Sequence, residues 1–245
     1  MIKDPVLIIG ARSDIAISVA HRFAKEGYDI QLAARNISSL DVDKSDIKLR
    51  YQVEVSMYDF DALDTGTHEN FVNLLPQLPA IAVCAVGYMG VQVENERNLQ
   101  AAVNVIRSNF EGPASIFSVL ANHFEKRGSG TLVGISSVAG ERGRAKNYFY
   151  GSAKAGFTTF LSGLRNRLAK KGVHVITVLP GFVSTKMTKD MDLPLRLTAQ
   201  PDEVATAVFN AVKKKHNIIY VKKIWMLVIK IIRIIPENFF KRMNL

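Results

Sequence analysis

Cysteine is almost missing from this chain of 245 residues: Cys84 stands alone, inside the apolar run 80–86. One thiol builds neither an internal disulfide nor a thiolate metal cluster, which points to a reducing compartment and no metal. Acid is in short supply, with 22 Asp and Glu against 32 Lys and Arg and a formal net charge of +10. That excess implies an anionic partner. Helix-turn-helix, zinc-ligand and base-stacking signatures are all lacking, which sets nucleic acid aside. The N-terminus reaches Val6-Leu7-Ile8-Ile9 within a few residues, without the charged start and small-residue cleavage site of a secretory signal, so a cytoplasmic protein is expected. Repeats and low-complexity linkers are absent too, and the length suits a single α/β domain.

What is present is alternation. Short β-branched runs near 5–10, 28–34, 48–54, 80–86, 130–136, 173–179 and 217–221 alternate with helical patterns at about 13–26, 97–126, 149–171 and 201–215. This predicts a doubly wound parallel sheet of Rossmann type over residues 1–221, followed by a basic amphipathic tail, 222–245. The polar stretch 36–47 reads as a short helix or a loop.

Tyr150 and Lys154 are one helical turn apart in Tyr-Gly-Ser-Ala-Lys, thirteen positions after Ser137. A phenol titrates near pH 10, so acid–base work near neutrality asks for a shift worth roughly 4 kcal/mol. An ammonium about 4 Å away at an effective dielectric of about 20 supplies that much. With Ser137 holding a substrate oxygen, the group can move a proton to or from a carbonyl. A lone Tyr-x-x-x-Lys can equally be a packed tyrosine beside a solvated lysine; position in the chain decides.

The first strand runs into Gly10-Ala11-Arg12-Ser13-Asp14-Ile15-Ala16. A glycine turn opening a helix aims free N–H groups at a pyrophosphate, provided the Asp14 carboxylate points elsewhere. Only Gly10 remains of a three-glycine pattern, so a helix simply capped by Ser13 or Asp14 stays open. The second strand ends in Ala34-Arg35-Asn36, where an acid would hold the ribose of NAD. Arg35 with Arg12 suits a 2′-phosphate instead, which favours NADP(H).

In order along the chain, Gly10–Ala16, Glu54-Val55, Val86-Gly87, Asn109, Ser137, Tyr150, Lys154 and Pro180-Gly181-Phe182-Val183-Ser184-Thr185 resemble the short-chain dehydrogenase/reductase family over residues 5 to about 221. The resemblance implies that Tyr150 is the acid/base, that Lys154 lowers its pKa and holds the nicotinamide ribose, that Ser137 orients the carbonyl, and that Asn109 completes a proton relay. It further implies that Gly10, Ser13 and Ile15 contact the pyrophosphate, Glu54 and Val55 the adenine, and Pro180, Gly181, Val183 and Thr185 the nicotinamide carboxamide and phosphates. Family resemblance also implies a homodimer or homotetramer. Cys84-Ala85-Val86-Gly87 replaces the family's Asn-Asn-Ala-Gly, keeping backbone shape at Gly87 while losing polar support.

The loop from Ser137 to Tyr150 carries Arg142, Arg144 and Lys146, which suit an anionic substrate or a solvated loop equally. Met187, Met191, Leu193, Leu195 and Leu197 suit an apolar lid or ordinary core. The tail holds six cations against Glu237 alone, half of the net charge. Its apolar run from Ile224 to Ile235 spans about 18 Å as helix, too short to cross a hydrocarbon core of about 30 Å. It suits a peripheral position on the inner face of the cytoplasmic membrane, with Trp225, Phe239 and Phe240 dipping in, or packing on its own domain or another subunit. The serine-loop sequence, the Gly-x-x-Ser-Asp-Ile turn and this terminus resemble the reductases of decaprenylphosphoryl-2-keto-erythro-pentose, which implies a keto sugar on a polyprenyl phosphate. A soluble ketone or 3-oxoacyl reductase is the alternative. A non-catalytic dinucleotide-binding scaffold at a membrane would be expected to have lost Ser137, Tyr150 or Lys154, and a sugar-nucleotide epimerase would need a larger C-terminal region.

Overall fold

The protein, seen in a computed structural model, is described here over residues 3–189 and 191–243. Its centre is one parallel sheet of seven strands: β1 (Lys3–Ile9), β2 (Tyr28–Ala34), β3 (Val55–Asp59), β4 (Ile81–Cys84), β5 (Gly130–Ile135), β6 (Val173–Pro180) and β7 (Ile218–Val221), in the order β3-β2-β1-β4-β5-β6-β7. The inner strands are buried on both faces. Hence Val6–Ile9, Ile81–Cys84 and Val175–Leu179 are almost wholly enclosed, as continuous apolar parallel strands must be.

The chain winds outward from β1 to β3, then restarts at β4 on the other side of β1. The crevice beyond the C-terminal ends of β1 and β4 is therefore the place for a ligand. Helices α1 (Asp14–Ala24), α2 (Asp41–Tyr51) and α8 (Pro201–Lys213) cover one face, where Phe23 meets Phe209 edge-on at 5.3 Å. The short α3 (His68–Asn73), with α6 (Gly112–Arg127) and α7 (Tyr148–Leu168), covers the other. The doubly wound architecture expected from the alternation is present.

Two boundaries differ from expectation. The alternation Ile47-Lys48-Leu49-Arg50-Tyr51 reads as a strand, yet it is the second half of α2. Asp41 and Asp43 in the first turn and Lys48 and Arg50 in the last complement the helix dipole, and Arg50 pairs with Asp46 one turn back at 2.6 Å. The third strand starts only at Val55. The long helix expected over 97–126 is broken instead into α4 (Gln92–Arg97), α5 (Leu99–Ile106), a π-helical turn (Arg107–Glu111) and α6. Asn98 forces the first break: its side chain accepts from the N–H groups of Gln100 and Ala101 and opens α5.

The tail forms α9 (Ile224–Ile234) and α10 (Glu237–Phe240), and its last two residues lie outside the described set. Among the described residues no helix is long and apolar enough to cross a membrane. α9 packs on its own domain, with Trp225 and Ile229 against Val138 and Leu179.

Candidate active site

At the C-terminal ends of the strands lies a cavity of about 900 Å³. One wall begins at Gly10, whose φ of +80° only glycine adopts without strain. A Cβ there would also stand 2.8 Å from the Val86 nitrogen. β1 and β4 can meet this closely only because Gly10 has no side chain. The turn is locked by Gly10 N–H donating to Ala33 O and Ser13 N–H to Gly10 O. The Ser13 side chain does not cap α1, so the N-terminus of the helix, which lines the cavity, keeps its first N–H groups open to an anion. Asp14 would spoil that site, but its carboxylate is turned to Lys186, accepting from the backbone N–H at 2.7 Å and pairing with Nζ at 3.3 Å.

Gly10, Arg12, Ser13, Ile15 and Arg35 all line this end, as the sequence suggested. Glu54 and Val55 do not. They sit at the start of β3, at the far end of the sheet, where Glu54 pairs with Lys48 at 2.9 Å. The expected adenine contact is corrected by the later start of that strand. The positions that follow β3 into the cavity are Asp61 and Ala62, with Asp61 3.9 Å from the Arg35 guanidinium. The run Val55-Ser56-Met57-Tyr58 ending in two acids was the available signal, masked by the stronger alternation before it.

At the other end β5 delivers Ser136 and Ser137 to the start of α7. Ser136, which sequence reading passed over, donates to Lys154 O at 3.0 Å and shares a 2.6 Å bond with Thr158, pinning the helix to the strand. Gly140 and Gly151 let the turn after Ser137 lie on the α7 backbone. A Cβ on Gly140 would be 2.6 Å from Ala155 N, and one on Gly151 2.8 Å from Ala139 O. Ser137 accepts from Ala139 N–H and hydrogen-bonds the Tyr150 phenol.

Lys154 is buried and donates to Ile135 O at 3.0 Å, with Nζ 5.7 Å from the Tyr150 ring centre. Burial pushes the ammonium down to about 8 and the phenol up to about 12, the Ser137 bond drawing the phenol back. The net shift of Tyr150 thus runs opposite to the expected acidification: burial is the larger cause, the Ser137 bond the opposing one, and near neutrality the phenol holds its proton. Cys84, nearby, is also pushed up by burial, to about 11, and so is no nucleophile.

Asn109 is fully buried in the π-helical turn. It donates to Tyr88 O at 2.5 Å and Val105 O at 2.8 Å and accepts from Tyr88 N–H. A Cβ on Gly87 would lie 3.0 Å from Asn109 Oδ1 and 3.5 Å from Lys154 Nζ, so Asn109 stands behind the cavity wall and shapes the turn beside the lysine.

Pro180, Gly181, Val183 and Thr185 follow β6 into the cavity. Val183 bridges to Ala199, and Thr185 and Thr188 cap each other. Met187 and Met191 border the opening. A residue not foreseen here is Trp225. It reaches from α9 onto Gly181, where a Cβ would come within 1.9 Å of the indole, and donates to Leu197 O at 2.9 Å. Nothing local in the sequence marks that contact. It also corrects the expectation that Trp225 enters a membrane.

Arg142 does not reach the cavity. Its guanidinium donates to the carbonyls of Ile232 and, at 2.7 Å, Ile235, pairs with Glu237 at 2.9 Å, and stacks on Phe240 at 3.6 Å. It closes the C-terminus of α9, which corrects its assignment to substrate. Arg144 does line the cavity, half-buried, with its pKa lowered by that burial and no partner for its side chain among the described residues.

A serine and a protonated phenol facing one cavity with an uncapped helix N-terminus can pair carbonyl chemistry with a bound dinucleotide. Sequence comparison agrees: the family described as short chain dehydrogenase matches residues 4–195. The chain belongs to the short-chain dehydrogenase family. An uncharacterized oxidoreductase of Mycobacterium tuberculosis is 34% identical over 242 residues, covering 98% of this chain and 96% of that one. An acetoacetyl-CoA reductase of Allochromatium vinosum is 32% identical over 196 residues, 76% of this chain and 70% of that one. Among solved structures, a short-chain dehydrogenase from Sphingobium yanoikuyae in complex with NADPH superposes with a TM-score of 0.79, at 23% identity over 96% of this chain and 97% of that one. This short-chain dehydrogenase thus shares its fold with oxidoreductases along nearly its whole length.

Proposed function

We propose that this short-chain dehydrogenase is an NADP(H)-dependent carbonyl reductase whose substrate is a keto sugar carried on a polyprenyl phosphate. The supporting observation is a single cavity bounded at one end by the uncapped α1 N-terminus with Arg12 and Arg35, and at the other by Ser137, Tyr150 and Lys154. Gly10, Ser13 and Ile15 would hold the pyrophosphate, Arg12 and Arg35 the 2′-phosphate, and the loop from Pro180 to Thr185 the nicotinamide. When bound, NADPH supplies the hydride. Ser137 holds the carbonyl oxygen beside the phenol, and Tyr150 gives that oxygen its proton. Lys154, charged below pH about 8, stabilises the phenolate left behind. A phenol pushed up to about 12 is in the protonated form that carbonyl reduction needs near neutrality.

Arg144 on the cavity wall, without a side-chain partner among the described residues, supports an anionic substrate, and the basic apolar tail supports one presented at a lipid surface, with the protein peripheral to it. A soluble 3-oxoacyl substrate is the second reading, favoured by the likeness to the acetoacetyl-CoA reductase. Following NADPH absorbance with a polyprenylphosphoryl keto pentose and with acetoacetyl-CoA separates the two. The proposal expects turnover of the first, with KM raised about tenfold or more in Arg144→Gln for the loss of a charge-assisted hydrogen bond. Efficient turnover of acetoacetyl-CoA alone would reject the lipid-linked substrate.

A further inference from the structure

α9 has two dissimilar sides. On the inner side, Trp225 lies on Gly181 and holds Leu197 O, and Ile229 packs with Val138 and Leu179. Arg233 pairs with Glu141 at 3.1 Å, and Arg142 holds the carbonyls at the C-terminus of the helix. One helix therefore grips both loops that matter to the reaction: the turn that follows Ser137 and the loop that follows β6. On the outer side Ile224, Leu227, Ile231 and Ile234 form one exposed apolar stripe, at spacings of three and four residues. Lys223 and Lys230 flank it. Neither they nor Lys241 and Arg242 have an ion-pair partner among the described residues, whereas Lys222 and Arg233 do. Exposed apolar side chains bordered by unneutralised cations match the acyl boundary and headgroups of an anionic bilayer.

We infer that α9 is a strap that couples docking on an anionic lipid surface to the ordering of the active site. Its outer stripe enters the lipid interface, while its inner side stays on Gly181 and on the serine turn. Docking removes the motions of a helix held at the surface of the domain, and the two loops bound to it lose theirs. Trp225 remains outside the lipid throughout. This inference rests on the lipid-surface part of the proposed function and not on the identity of the substrate.

The test uses the full chain with no ketone present, so an error about the substrate leaves it intact. Phosphatidylglycerol/phosphatidylcholine vesicles and phosphatidylcholine vesicles are compared by co-sedimentation and by amide hydrogen exchange. Binding to the anionic vesicles alone is expected, with several-fold slower exchange in segments 137–146 and 181–189. Brominated acyl chains should leave the emission of Trp225, the sole tryptophan, unquenched. Leu227→Glu/Ile231→Glu, both on the outer stripe, should abolish binding and keep the melting temperature. Arg142→Gln, checked for folding by its melting curve, should bind vesicles as before while the serine turn no longer responds. The inference is overturned by absence of binding, by binding without slower exchange, by quenching of Trp225, or by an unchanged response in Arg142→Gln. It is equally overturned if the outer-stripe variant converts an oligomer to a monomer, since the stripe would then meet a second copy of the chain.

Discussion

The two ends of the cavity are built on different principles. Around Ser137, Tyr150 and Lys154 the main polar contacts are buried: Lys154 on Ile135 O, Ser136 on Lys154 O and Thr158, and the serine turn in direct contact with α7. At the end lined by Arg12 and Arg35 the charges are exposed, and the Arg35–Asp61 pair is long, at 3.9 Å, and open to solvent. Buried hydrogen bonds are unscreened and hold one geometry, whereas exposed charges are screened by salt and adapt at little cost. Under the proposed function, reaction type rests on rigid parts and cofactor choice on replaceable ones.

The sharpest way to break this contrast is Tyr150→Phe, which keeps the ring and removes the proton. Turnover should fall by about 10²–10⁴-fold with NADPH affinity nearly unchanged, read by steady-state kinetics and cofactor fluorescence titration. Wild-type turnover would remove the phenol from the reaction. Next, Arg12→Ser/Arg35→Ser should raise KM for NADPH by about 10–100-fold and leave NADH little affected, the loss shrinking in high salt. Equal losses with both cofactors would place the 2′-phosphate elsewhere.

Gly181→Ala sets a methyl against the Trp225 indole, and overpacking of this kind costs about 1–3 kcal/mol. The melting temperature should fall and partly recover in Gly181→Ala/Trp225→Leu. Protonation gives a smaller, graded effect. As pH rises through about 8 Lys154 loses its charge, while the phenol keeps its proton up to about 12. The kcat/KM for reduction should therefore decline above about 8, by as much as tenfold per unit. A flat profile from pH 7 to 10 would show that the ammonium is dispensable. Least of all should Glu54→Gln matter, since it removes only an exposed pair to Lys48, worth about 0–1 kcal/mol, at the far end of the sheet.

Legibility in the sequence followed the same division. Ser137, Tyr150 and Lys154 could be found because strand–turn–helix punctuation and one-turn spacing carry their geometry locally. Gly10 could be found because the strand-to-helix turn demands it. Asp61 was hidden because Ile47-Lys48-Leu49-Arg50-Tyr51 satisfies the period of a strand, while burial of Ile47 and favourable helix-end charges made it a helix. Arg142 looked like a partner for an anion because sequence shows charge but not the carbonyls waiting for it at the end of α9.

The alternation of strands and helices and the spacing of Ser137, Tyr150 and Lys154 were set by local pattern, since period and turn chemistry act over a few residues. Tertiary structure alone decided the direction in which Tyr150 and Lys154 shift, the burial of Trp225 on Gly181 and the diversion of Arg142 to the tail. Those depend on desolvation and on contacts between segments some 40 to 95 positions apart, and no window of sequence contains them.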